Sequence, residues 1–135
     1  GHERIWIDNS KSASCQGLSA ALSGYLGNKV ILIAGGSDKW DPFDTLEVAL
    51  RDSVEYAILI GATKEILADK CRWAGVEYTE SSSMNDAVEQ AYVHSHTWQT
   101  ILLSPGCASF GMFRDYLDRA EQFREAVKLL TEQEK

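Results

Sequence analysis

Five short apolar runs recur along the chain: Arg4-Ile5-Trp6-Ile7, Lys29-Val30-Ile31-Leu32-Ile33, Tyr56-Ala57-Ile58-Leu59-Ile60, the weaker Val76-Glu77-Tyr78, and Ile101-Leu102-Leu103. Each is of strand length. The middle runs are apolar at successive positions, hence on both faces, as expected of parallel strands covered by helices on each side. Between the runs the apolar spacing changes to three and four. Leu18, Ala21, Leu22, Tyr25 and Leu26 mark one helix face, with Gly27 placed as its C-terminal cap. Leu46, Ala49 and Leu50 mark a second helix, and Thr63 can cap a third that carries Ile66 and Leu67. Ser83 can cap a fourth bearing Ala87, Val88, Ala91 and Tyr92, with Asp86 completing a pattern like a capping box. The last helix places Phe113, Tyr116, Leu117, Ala120, Phe123, Val127 and Leu130 on one face. Arg114, Asp118, Arg119, Glu121 and Glu125 lie mostly off it.

Strand and helix alternate with crossovers long enough for right-handed βαβ units, which predicts one α/β domain: a three-layer, Rossmann-like fold around a mostly parallel sheet. Gly1-His2 reads as a vector scar, so the domain is taken as residues 3–135. In such sheets ligands bind beyond the carboxyl ends of the strands. Three loops then stand out, Asp8 to Cys15, Ala34 to Phe43 and Ser104 to Met112, each rich in Gly, Ser or Asp.

Composition narrows the function. At 135 residues, 44% apolar and 24% charged, the chain has the makeup of a soluble globular domain. No apolar run nears the roughly 18 residues of a membrane span, and no secretory signal opens the chain, so a cytoplasmic protein without a membrane partner is expected. A net charge of −7 without a Lys/Arg block argues against nucleic acid, whose phosphates require clustered cations. The three cysteines, Cys15, Cys71 and Cys107, show no CxxC spacing and read as buried thiols in a reducing compartment. His94 and His96 sit two apart near a helix end, where side chains diverge, so no metal site is assigned.

The chemistry of the loops is that of anion binding. In "DNSKSAS", Lys11 sits among hydroxyls just before a helix, where the positive helix end disfavours a cation unless an anion is held between them. "LIAGGSDKWDPFD" follows a buried strand with a glycine pair and Lys39. It carries neither GxxxxGK[ST] nor GxGxxG, so Lys39 suits a carboxylate without pointing to ATP. In "LLSPGCASFGMFR", Cys107 and Arg114 approximate a cysteine phosphatase loop. The spacing is one residue off, and Phe110-Gly111-Met112 makes a poor phosphate cradle, so Cys107 reads as structural.

Together, "DNSKSAS", "LIAGGSDK" and "LLSPGCASFGMFRDYLDRAEQFREAV" resemble the C-terminal domain of the Mur ligase family over nearly the whole chain. The third motif looks most like the D-glutamate-adding members: Ser-Pro, a small residue, Cys-Ala-Ser, Met-Phe, then Arg and Gln-Phe. The resemblance implies an enzyme of three domains, of which this is the last. The other two domains of the same chain would hold the UDP-sugar and, through a P-loop and magnesium ligands, ATP and Mg2+. It also implies a bacterial, cytoplasmic, ADP-forming amide ligase that joins D-glutamate to UDP-N-acetylmuramoyl-L-alanine in peptidoglycan precursor synthesis.

By position, the resemblance carries several roles onto this chain. Lys39 matches the lysine that pairs with the amino acid, and Ser109 matches the serine that hydrogen-bonds its distal carboxylate. Tyr116 matches an aromatic at the pocket edge, usually Phe. Asn9 stands where the family has an aspartate near the nucleotide ribose, leaving either neighbouring Asp8 to take that role or a weaker contact, and Lys11 matches the lysine two residues on. Ala13 replaces a threonine that touches the amino acid, so the contact is lost or passes to Ser12 or Ser14. No catalytic residue is expected in this domain alone, and by itself it should be inactive. The alternatives are a non-catalytic Rossmann-like ligand-binding module and a Mur-like paralogue adding another amino acid.

Overall fold

The computed structural model describes residues 4–9, 20–36, 46–61, 64–106 and 116–133. Within them the order is β1 (Ile5–Asp8), a helical segment at residues 20–22 running into a 3-10 turn (Ser23–Tyr25), β2 (Val30–Gly36), α1 (Leu46–Ser53), β3 (Val54–Gly61), α2 (Lys64–Ala74), β4 (Glu77–Glu80), α3 (Met84–His94), β5 (Thr100–Gly106) and α4 (Tyr116–Gln133). The five strands form one sheet in the order β1-β5-β2-β3-β4. All neighbouring pairs are parallel, which sharpens the expected "mostly parallel" sheet.

Alternation along the strands divides the core in two. Val30, Leu32 and Ala34 of β2, Ala57 and Leu59 of β3, and Leu102 of β5 face one side, where Leu22, Leu50 of α1, and Leu67, Ala68 and Cys71 of α2 cover them. Ile31, Ile33, Ile58, Ile60, Ile101 and Leu103 face the other, beneath Met84, Ala87, Val88 and Ala91 of α3 and Phe123 and Ala126 of α4. The result is the three-layer α/β fold, and the doubly apolar strands follow from it: every position on a central strand has a helix over it. Burial of one side chain such as Phe123 stabilises by roughly 2–3 kcal/mol. The outer strands β1 and β4 are only four residues long, which limits pairing with other chains.

The two described ends differ. Gly27 has φ +76, but instead of capping an α-helix it is the third residue of a turn after the 3-10 segment, in which the Asn28 N–H donates to the Tyr25 carbonyl at 3.0 Å; Leu26, expected on the helix face, is exposed. Ser83 caps α3, its Oγ accepting from the Asp86 N–H at 3.1 Å, while the Asp86 carboxylate accepts from Ser81 Oγ at 2.7 Å. Thr63 lies outside the described residues. The face of α4 differs from expectation. Leu117 is 62% exposed, whereas Arg119 is 0% exposed. Arg119 precedes Phe123 by four residues and Ala126 by seven, so helical geometry puts it on the buried face, and Leu117 falls well to one side.

Candidate functional site

The strand order assembles the site. β5 enters between β1 and β2, and the helix after it, α4, lies on one face, whereas the helical segments after β1 and β2 pack on the other. The helices that follow these three adjacent strands therefore lie on opposite faces, and in open α/β sheets ligands bind in the crevice outside the strand ends at such a switch point. The three loops singled out from sequence, Asp8 to Cys15, Ala34 to Phe43 and Ser104 to Met112, begin on these strand ends and run on into residues 10–19, 37–45 and 107–115, which lie outside the described residues.

The floor of the crevice is backbone. Gly35 stands opposite Gly106 of β5, and Gly36 stands opposite Gly61 of β3. Gly35 has φ +132, and a Cβ built on it would lie 1.7 Å from the carbonyl oxygen of Ile60. No other residue fits there: β3 approaches too closely, and the conformation is one that L side chains rarely adopt. Gly35 is thus required by strand packing.

At the end of β1, Asp8 and Asn9 diverge. The Asp8 carboxylate lies 3.7 Å from Arg124 Nη1 of α4, a partly exposed pair worth about 0–1 kcal/mol. The Asn9 N–H donates to the Leu103 carbonyl at 2.7 Å, and Asn9 Nδ2 donates to Ser104 Oγ at 3.2 Å. Ser104 is fully buried. In the first turn of α4, Arg119 brings a permanent guanidinium charge into the interior.

Of the residues singled out from sequence, Asp8 and Asn9 stand at the crevice edge and Tyr116 is the first residue of α4. Lys11, Ser12, Ser14, Lys39 and Ser109 lie outside the described residues, as do Ala13, Cys15, Cys107 and Arg114. Sequence reasoning did not give site roles to Ser104, Arg119 or Arg124. Ser104 had a signal: as a polar residue in step with buried Leu102, it had to find a buried partner.

Other parts of the molecule are chemically unsuited. A groove of about 380 Å³ between the start of α3 and α4 is lined by Asp118, Glu121 and Glu125, which would repel a carboxylate. Burial pushes the Cys71 thiol up to about 11, so it stays protonated and unreactive at neutral pH. His94 stacks on Tyr56 and His96 approaches Glu55, each engaged with a different partner. Among the described residues no group of three His, Cys, Asp or Glu could hold a metal ion.

No protein-family model matches the chain. Curated relatives do. The chain is 38% identical over 128 residues to the UDP-N-acetylmuramoylalanine--D-glutamate ligase of Thiobacillus denitrificans, covering 95% of the chain and 27% of the relative. It is 35% identical over 122 residues to that of Chlorobium luteolum, covering 90% and 26%, and 37% identical over 123 residues to that of Aquifex aeolicus, covering 90% and 29%. The match falls in the C-terminal region of these much longer proteins. The chain is a C-terminal domain of the Mur ligase type. This Mur-type domain spans about a quarter of the length of the relatives it matches. Its sheet order, with β5 inserted between β1 and β2, brings together the strand ends that carry the three family motifs.

Proposed function

We propose that residues 3–135 form the amino-acid-binding domain of an ATP-dependent ligase that joins D-glutamate to UDP-N-acetylmuramoyl-L-alanine in peptidoglycan precursor synthesis, in the bacterial cytoplasm. In the proposed reaction the substrate carboxylate is activated as an acyl phosphate, and the D-glutamate amine displaces phosphate to form an amide, leaving ADP and phosphate. The observation that carries the reading is the adjacency of the β1, β5 and β2 carboxyl ends in a chain whose relatives bear the name of this one ligase.

The chain does not fit ATP and Mg2+ by itself. It has no P-loop, and the described residues offer no metal-ligand cluster. Those groups belong to the remainder of the ligase. What this domain supplies is recognition. The amine must stay free to attack, so the two carboxylates of D-glutamate have to carry the binding. Lys39 takes one, Ser109 and the N–H groups at the start of the last helix take the other, Tyr116 borders the pocket, and Ser12 or Ser14 supplies the hydroxyl missing at Ala13. Asp8 and Lys11 lie on the side toward the nucleotide. Among the described residues no helix is long and apolar enough to cross a membrane, in keeping with soluble substrates.

Phosphate release by the full-length ligase tests the reading. Release should require ATP, UDP-N-acetylmuramoyl-L-alanine and D-glutamate together, and the domain alone should release none. Equal or faster release with another amino acid would replace the D-glutamate reading with that of a paralogue.

A further inference from the structure

We infer that Asn9 is a positioning residue that, through Ser104, braces the first substrate loop against the third; the inference rests on the D-glutamate reading above. The sequence comparison associates position 9 with the nucleotide. The geometry turns its side chain elsewhere. Asn9 Nδ2 donates to Ser104 Oγ at 3.2 Å across the β1–β5 boundary, and the Asn9 main chain is already anchored on Leu103 at 2.7 Å. Ser104 is fully buried, so its oxygen has no water to replace that donor, and losing the bond leaves a buried hydroxyl poorly satisfied. The adjacent polar residue, Asp8, is held against Arg124 of α4. Both polar side chains at the end of β1 therefore face the β5–α4 unit.

The position of this bond along the chain gives it its effect. Asn9 lies three residues before Ser12, and Ser104 lies five before Ser109. A single hydrogen bond thus ties together the points from which both pocket-bearing segments depart. Small displacements at such anchor points are felt as lost affinity where carboxylate partners must converge. As a carboxamide, Asn9 supplies Nδ2 as the donor, and the bond needs no charge.

The test is a double-mutant cycle in the full-length ligase. Asn9→Ala and Ser104→Ala should each raise KM for D-glutamate about tenfold, with KM for ATP within about twofold of wild type. The double variant should be no worse than the poorer single variant, because both remove one bond. Asn9→Asp, which can accept from the Ser104 hydroxyl instead, should recover most of the loss. A rise in KM for ATP with D-glutamate spared overturns the brace in favour of a nucleotide contact, and so do effects that multiply in the double variant. If the wild-type ligase turns over a different amino acid, the D-glutamate reading fails, and the same cycle run with that amino acid still decides the brace. Amide hydrogen exchange decides it without turnover: Asn9→Ala should speed exchange across residues 107–115, and unchanged exchange there refutes the coupling.

Discussion

The two ends of the sheet are built from different materials. At the amino ends side chains hold one another. Arg4 Nε donates to Ser95 Oγ at 2.5 Å while its guanidinium lies 4.7 Å from the centre of the Tyr92 ring. His94 stacks on Tyr56 with centroids 3.8 Å apart, His96 Nε2 sits 3.1 Å from Glu55, and the Gln99 amide donates to the Lys29 carbonyl at 3.0 Å. Exposed indoles also collect at this end, Trp73 at the close of α2 and Trp98 in the turn before β5. Among the described residues at the carboxyl ends, Gly35 and Gly36 of β2 stand against Gly106 and Gly61, the Asn9 amide donates to the Ser104 hydroxyl, and Asp8 lies near Arg124. Large side chains close the amino end against itself. At the carboxyl end the described strand termini bring small residues together instead.

That contrast predicts that substitutions at the carboxyl end change binding or break the sheet, whereas those at the amino end change stability alone. The largest effect belongs to Gly35→Ala. Its methyl would meet the Ile60 carbonyl in a backbone conformation already unfavourable for alanine, costing about 4 kcal/mol or more, enough to unfold a marginal domain. Urea denaturation should show it, and a midpoint near wild type would mean that β2 and β3 can move apart. Next come Lys39→Met and Ser109→Ala in the full-length ligase. The first should weaken D-glutamate by roughly 2–5 kcal/mol in a dry closed pocket. The second should weaken it by about 1–3 kcal/mol, because helix N–H groups still share the distal carboxylate. Weakened ATP with D-glutamate spared would assign the segment after β2 to the nucleotide.

A smaller effect is expected in the core away from both ends. The thiol of Cys71 ionises near 11 in the fold and at its ordinary lower value when unfolded. The unfolded chain thus loses its proton first, and the stability this group contributes, complete below the unfolded value, declines as pH rises toward 11. The loss is on the order of 2 kcal/mol. Urea midpoints measured at pH 8 and pH 11 should therefore fall further for wild type than for Cys71→Ala, and parallel falls would remove Cys71 as the cause. The smallest effect is at the amino end. Trp98 has φ +68, where a bulky side chain is strained and glycine is not. Trp98→Gly should raise the melting midpoint slightly, by about 1 kcal/mol or less, and leave KM for D-glutamate unchanged. A change in that KM would mean that the two ends communicate.

Much of the site's surroundings could be read one residue at a time. The Ser83 cap needed only a hydroxyl three residues before an N–H. The glycine pair at the end of β2 was visible as part of a motif, but the cause at Gly35 was not: the carbonyl of Ile60 leaves no room for a Cβ there. Arg119 shows the opposite problem. Counted as a charged residue it belonged on the solvated face, and only its spacing to Phe123 and Ala126, weighed above its charge, would have put it inside. Asn9 resembled a weakened nucleotide contact until Ser104 stood beside it, 95 residues away in sequence.

The sequence by itself determined the elements, the doubly covered strands, the Ser83 cap and the likeness to a ligase family, because each rests on patterns a few residues long or on motifs conspicuous in their own right. Only the tertiary structure decided that β5 enters between β1 and β2, that the helix after it leaves on the opposite face, and that Asn9, Ser104 and the strand-end glycines share one edge. Alternation tells a strand which of its residues face each layer, but a run apolar on both faces would satisfy that pattern beside any neighbour. The choice among neighbours is made by right-handed crossovers and by closing long loops against a shared core, and these are properties of the whole chain.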